Sequence, residues 1–173
     1  MPTTDLTKPS EYSRLQIAYG LGNLDNPVDR EGGDYGAGLI KGVAVITRGE
    51  ALGHGLWLDE VFIDQLLGQK KERGHKARFT HPGMCSTGLG KSLGRAVLTG
   101  KDDSGRAVGE LHLSKASRRT PEGDLGGYVM DLAEETPEDF GMSIVFERDL
   151  DAEDEFEAEN TGDKRGECFQ SPD

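Results

Sequence analysis

The chain has 173 residues, a formal net charge of −12 and an apolar content of 34%. That length suits one domain with a sizeable core. The acidic balance excludes the clustered Lys and Arg surface that displaces counterions from a duplex, so no nucleic-acid partner is expected. No apolar run reaches the roughly 18 residues of a membrane-spanning helix, and the N-terminus lacks the charged-then-apolar pattern of a secretory signal, so a soluble, cytosolic chain is expected. Two cysteines, Cys85 and Cys168, are too few and too far apart for a disulfide framework or a zinc site and read as free thiols. Nothing in the composition calls for a metal or a cofactor.

In chain order, residues 1–38 are polar and Gly-rich, with a short helical stretch around Tyr12 to Tyr19, and read as an N-terminal arm. From Leu39 the β-branched residues Ile40, Val43, Val45 and Ile46 predict the strand that opens the core. Gly53-His54-Gly55 makes a turn. Leu58, Phe62 and Leu66 then recur at helical spacing behind Asp59 as a cap, predicting three turns that end near Gly68. Residues 75–80 read as a strand that carries His81 at its end. Leu93 to Leu98 and Val108 to Leu113 are two more strands, and the turn composition of Lys101-Asp102-Asp103-Ser104-Gly105 between them predicts a hairpin.

Thr120-Pro121-Glu122 sets a capping hydroxyl before a first-turn proline, and Leu125, Val129, Leu132 and Ala133 continue with helical spacing. Thr136-Pro137-Glu138-Asp139 repeats the device as a short turn. Gly141 to Glu147 is the last predicted strand. After Arg148 a block of like charge begins, and residues 149–173 are expected to form an acidic, disordered tail. Strands alternating with two or three helices predict an α+β core over residues 39–148, a mixed, mainly antiparallel barrel or sheet with helices packed outside it.

The stretch His81 to Ser92 ends in Gly-Leu-Gly-Lys-Ser, the closing pattern of a phosphate-binding loop. Such a loop needs its first glycine where Cys85 stands, and a strand before it and a helix after it. Here Thr80-His81-Pro82 precedes the loop and an alternating apolar run follows Leu93, so the nucleotide-binding reading fails. The matching magnesium-binding Asp would be Asp131, inside a helical pattern.

Four histidines can be weighed for chemistry. His54 and His75 read as structural or exposed, and His112, between Leu111 and Leu113, as a surface or barrel-rim residue. His81 differs, because it ends a strand, precedes a proline and opens a Gly-rich loop. Ser143, in Gly141-Met142-Ser143-Ile144-Val145-Phe146, is a small hydroxyl on a strand directly after a Gly-Met pair. A serine hydroxyl becomes nucleophilic when an imidazole within hydrogen-bond reach takes its proton.

The succession Arg78-Phe79-Thr80-His81, Leu93-Gly94-Arg95-Ala96, hairpin, helix and Gly141-Met142-Ser143-Ile144-Val145-Phe146 resembles the prohead (head maturation) proteases of tailed bacteriophages. These share a fold with the herpesvirus assemblin proteases. The resemblance covers about residues 39–148. It implies a serine endopeptidase on an assemblin-like β-barrel flanked by helices, with His81 as general base and Ser143 as nucleophile. It also implies self-association and cleavage of capsid and scaffolding proteins in the host cytoplasm, inside the assembling procapsid.

Three departures stand out. The loop between His81 and Leu93 is longer than the family form, and Val145 stands where the family often has glycine. The third catalytic residue, a carboxylate or second histidine downstream of the serine, has Glu147, Glu167 and Asp173 as its available candidates, none on a convincing element, so a fragment or a processed form lacking the final strand is expected. The alternative from a different class is a non-enzymatic capsid scaffolding or assembly module that keeps the protease-like shape, its acidic tail attracted to a basic surface.

Overall fold

The computed structural model describes residues 27–51, 56–69, 73–79, 91–138 and 140–142. They form an α+β fold with nine elements: β1 (Val28–Asp29), β2 (Leu39–Ile46), β3 (Gly49–Ala51), β4 (Leu56–Leu58), α1 (Glu60–Gly68), β5 (His75–Phe79), β6 (Lys91–Lys101), β7 (Ala107–Leu113) and α2 (Leu125–Glu135). Five strands make one sheet in the order β1-β2-β7-β6-β5, and β3 with β4 is a separate hairpin. Every strand pairing among the described residues is antiparallel. Of the expected mixed, mainly antiparallel barrel or sheet with helices outside it, the described residues form the antiparallel sheet with two helices, not closed into a barrel.

The strand registers explain which residues face the core. One row crosses the whole sheet as Val28, Ile40, Leu111, Ala96 and His75. The first four are buried and pack with Val129, Met130 and Ala133 of α2, whose spacing puts them on one helical face. At the other end of the same face Leu98 and Ala107 pack with Val45 and with Ile63 and Leu66 of α1. Leu98 pairs with Gly109 on β7, and Ala107, Gly109 and Leu111 alternate onto one side. So both helices cover a single face, α2 toward the Leu113 end and α1 toward the Ala107 end.

Local chemistry starts and stops these elements where expected in most cases. Asp59 caps α1, its Oδ1 accepting from Phe62 N at 2.9 Å. Asp102 turns the β6–β7 hairpin by accepting from the Ser104 and Arg106 amides, each at 2.9 Å. At α2 the cap is Asp124, which accepts from Gly127 N at 2.7 Å. The expected cap Thr120 instead bonds Gly123 O at 2.8 Å and closes a tight turn ahead of the helix.

The core begins before residue 39. Val28 and Asp29 pair with Ile40 and Leu39, and residues 30–38 then fold over the end of the sheet instead of trailing as an arm. Gly38 N donates to Gly32 O at 3.1 Å, and Gly38 O accepts from Leu113 N at 2.9 Å. Gly38 has φ +130, and a Cβ there would stand 2.6 Å from Met130 Sδ. Only glycine lets this backbone pass so close to α2.

The loop is clamped to the helix by charge. Arg30 reaches Asp131 and Glu134 of α2, which raise the guanidinium pKa above its ordinary value, Glu134 first. Arg118 Nε donates to Asp124 Oδ1 at 2.7 Å while its Nη1 donates to Ala37 O at 3.0 Å. One arginine thus ties the loop, the helix cap and the segment after β7. The residues expected to form the first part of the arm and the acidic tail lie outside the described residues.

Candidate functional site

The strand expected to deliver the general base is β5, which ends at Phe79. It pairs with β6 from His75↔Ala96 to Phe79↔Lys91, with a bulge after Ala77. Leu93 is the extra residue of that bulge, and the glycine after it, Gly94, has a physical reason. Its φ is +154 and a Cβ would lie 2.0 Å from His112 O on β7. No side chain fits between two backbones at that separation. Phe79 turns toward α2, its ring 6.2 Å from that of Tyr128 at 76°, an edge-to-face pair left partly exposed.

The strand expected to carry the nucleophile begins at Gly141. After a turn in which Phe140 N donates to Pro137 O at 3.4 Å, Met142 N donates to Ala44 O of β2 at 3.0 Å. Phe140 and Met142 pack against the α2 end of the core. His81 follows Phe79 by two residues and Ser143 follows Met142 by one; both lie outside the described residues, as do His54, Cys85, Cys168, Glu147, Glu167 and Asp173. The elements that lead to His81 and Ser143 meet different parts of the sheet. Between β5 and β2 stand β6 and β7, three strand spacings or about 14 Å in a flat sheet.

Of the Gly-Leu-Gly-Lys-Ser sequence only the Lys-Ser end lies among the described residues, and it belongs to the sheet. Lys91 and Ser92 open β6, so a strand follows where a phosphate-binding loop requires a helix. Lys91 Nζ bonds Glu122 Oε1 at 2.7 Å, and the lysine holds that carboxyl below the ordinary glutamate range. Asp131 is on α2 and answers Arg30.

Two histidines sit differently from expectation. His75, expected to be exposed, is partly buried at the end of the core row. His112, expected at the surface or a barrel rim, is 8% exposed, because residues 31–38 fold over it. Its Nδ1 accepts the Asp34 amide at 3.1 Å, which requires the neutral ring to carry its proton on Nε2. The Asp34 carboxylate lies 3.3 Å from Nδ1 and Glu110 Oε2 lies 3.5 Å from Nε2.

A buried imidazole between two carboxylates has the makings of a general base, but no hydroxyl is among its hydrogen-bond partners in the described residues. The buried serine Ser117 is committed elsewhere: its Oγ donates to Ser114 O at 2.7 Å. His112 thus orients the 31–38 loop. Among the described residues no group of three His, Cys, Asp or Glu side chains could hold a metal ion, and no helix is long and apolar enough to cross a membrane.

Comparison of the chain with protein-family models, with curated proteins and with solved structures finds no match.

Proposed function

We propose that the chain is a serine endopeptidase of the phage prohead type, cleaving capsid and scaffolding segments during head assembly, with Ser143 as nucleophile and His81 as base. The reading rests on the motif resemblance. The observation that supports it is order along the chain: β5 leads to His81, Leu93-Gly94 opens the hairpin β6–β7, α2 follows, and the chain returns to the core at Met142, one residue before Ser143. In the proposed acyl transfer His81 takes the Ser143 proton, the serine oxygen attacks the scissile carbonyl, and the imidazolium returns the proton to the leaving amine before water releases the acyl group. Self-association and action inside the procapsid belong to the same reading, as does closure of the sheet into an assemblin-like barrel.

Co-expression with a capsid or scaffolding substrate tests it. Ser143→Ala should abolish cleavage and fluorophosphonate labelling while the melting temperature stays unchanged, and persistent cleavage would overturn the assignment. One observation favours a second reading, a non-enzymatic assembly module: two strands, β6 and β7, stand between β5 and β2 in a sheet that does not close among the described residues, so the two side chains meet only if the sheet curls. Absence of labelling in the unaltered full chain selects the module.

A further inference from the structure

One peptide unit of the 31–38 loop is held at both of its ends. Its N–H, that of Asp34, donates to His112 Nδ1 at 3.1 Å, and its C=O, that of Gly33, accepts from Gly36 N at 3.1 Å. The first bond exists only while Nδ1 keeps a lone pair, which in the neutral ring puts the proton on Nε2. In that state the buried Nε2 has no hydrogen-bond partner among the described residues, and a buried donor left so is costly.

A proton on Nδ1 inverts which groups are satisfied. Nδ1–H then meets the Asp34 N–H, two donors at one place, while two acceptors stand ready: the Asp34 carboxylate 3.3 Å from Nδ1 and Glu110 Oε2 3.5 Å from Nε2. The rest of the row across the sheet carries both signs of charge. Arg95 on β6 pairs with His112 and Lys76 on β5 pairs with Arg95. On β2 the partner of His112 is Leu39, with Lys41 two residues further along the same side, and opposite Leu39 is Asp29 of β1, whose carboxylate accepts the Glu31 amide.

The backbone allows the peptide to turn. It follows Gly33, at φ +79, and Gly36 has φ +57; glycine takes either sign of φ with no side chain to obstruct it. The ends of the loop are held by bonds that do not involve the ring. Gly38 N donates to Gly32 O, Gly38 O accepts from Leu113 N, and Arg118 holds Ala37 O.

We propose that His112 is a proton-operated latch: protonation of the ring turns the peptide between Gly33 and Asp34 away from Nδ1, the Asp34 carboxylate takes its place, and the Gly36 amide loses its acceptor, while the ends of the loop stay seated. The change reaches residues 33–36, including exposed Tyr35, so this part of the surface is remodelled by pH. The inference stands whether or not Ser143 is a nucleophile.

An NMR titration of the full chain from about pH 8 to about pH 5, the range in which imidazoles titrate, tests the latch. Solvent exchange of the Asp34 and Gly36 amides, corrected for the intrinsic effect of pH, should rise at least about fivefold, both with the midpoint read from the His112 ring protons, while the Leu113 amide stays protected. In His112→Gln, whose side chain does not titrate, both steps should disappear. Exchange at the two amides that does not follow the ring midpoint would overturn the proposal. So would Asp34 exchanging with Gly36 unmoved, which leaves the peptide unturned, or Leu113 opening with them, which means that the loop leaves as a whole. Should His112→Gln fail to fold, the shared midpoint in the unaltered chain decides.

Discussion

The two ends of the sheet's covered face are built on unequal terms. At the α1 end five buried residues form the cluster among the described residues, and the helix is pinned outside it by Arg48 to Glu60 and Lys101 to Asp64. At the α2 end eleven of the described residues are buried and pack together, and β1, the 30–38 loop and the helix are tied by Arg30 and Arg118. Both helices start at an aspartate cap, so the difference lies in what else each cap and each strand crossing touches. The α2 end is where the chain segments most distant in sequence converge, and it is also where Phe79 and Met142 bring the chain toward His81 and Ser143.

The largest effect should follow from removing the closest backbone approach at the α2 end. Gly94→Ala puts a methyl 2.0 Å from His112 O at a φ that side chains disfavour, and backbone offers no rotamer by which to yield. A loss of about 4 kcal/mol, at the exceptional end for single substitutions, is expected in urea unfolding. Gly68→Ala at the α1 end is the contrast, since nothing among the described residues lies within 4 Å of its Cβ position; it should leave stability unchanged or raise it by less than about 1 kcal/mol. Equal losses at the two positions would mean that the β6–β7 approach is not what demands glycine.

That pair of glycines also marks how far the sequence could be read. Leu93-Gly94 stands out as a motif, but its reason, the His112 carbonyl, comes from a strand paired only after the hairpin closes. The period-two and helical runs of β2, α1, β6, β7 and α2 are legible because each element carries its own apolar spacing. A two-residue strand such as Val28–Asp29 has no period to detect, and His112 is buried by a loop some eighty residues earlier in the chain. Thr120 and Asp124 are equally good capping types, and the choice between them is made by Arg118, which an unfolded reading cannot place. The candidate site was legible only as residue types joined by a resemblance, because whether β5 and β2 approach one another depends on closure of the whole sheet.

A smaller effect separates the two caps. Asp59→Ala should cost about 1 kcal/mol, the usual worth of a cap. Asp124→Ala should cost nearer about 2 kcal/mol, the upper end for caps, because the carboxylate also fixes the Arg118 guanidinium that holds Ala37 O. The Arg118 hydrogen bond, with the Gly127 amide adding to it against a partial desolvation, holds the Asp124 carboxyl below the ordinary aspartate value. A depressed folded-state pKa contributes stability that is present above the unfolded value, near pH 4, and is lost as pH falls through the lower folded value. Thermal melts between pH 5 and pH 2 should therefore show a decline on acidification that is shallower in Asp124→Ala than in the unaltered chain. Parallel declines would remove Asp124 as a contributor.

The smallest effect should come from the ion pair that pins α1. Arg48 Nη1 lies 2.9 Å from Glu60 Oε1, but the side chains are 45% and 67% exposed, so water and salt screen the pair and two long side chains give up rotamer freedom to make it. Arg48→Ala should cost less than about 0.5 kcal/mol, and that loss should vanish in 1 M salt. At the α2 end Arg118 is 31% exposed and Arg30 46%, similar figures with a different consequence, because each of those arginines joins two segments that have no other covalent or helical reason to stay together. If Arg48→Ala proved as costly as Arg118→Ala, exposure rather than connectivity would govern both pairs, and the two ends of the sheet would be equivalent in how charge supports them.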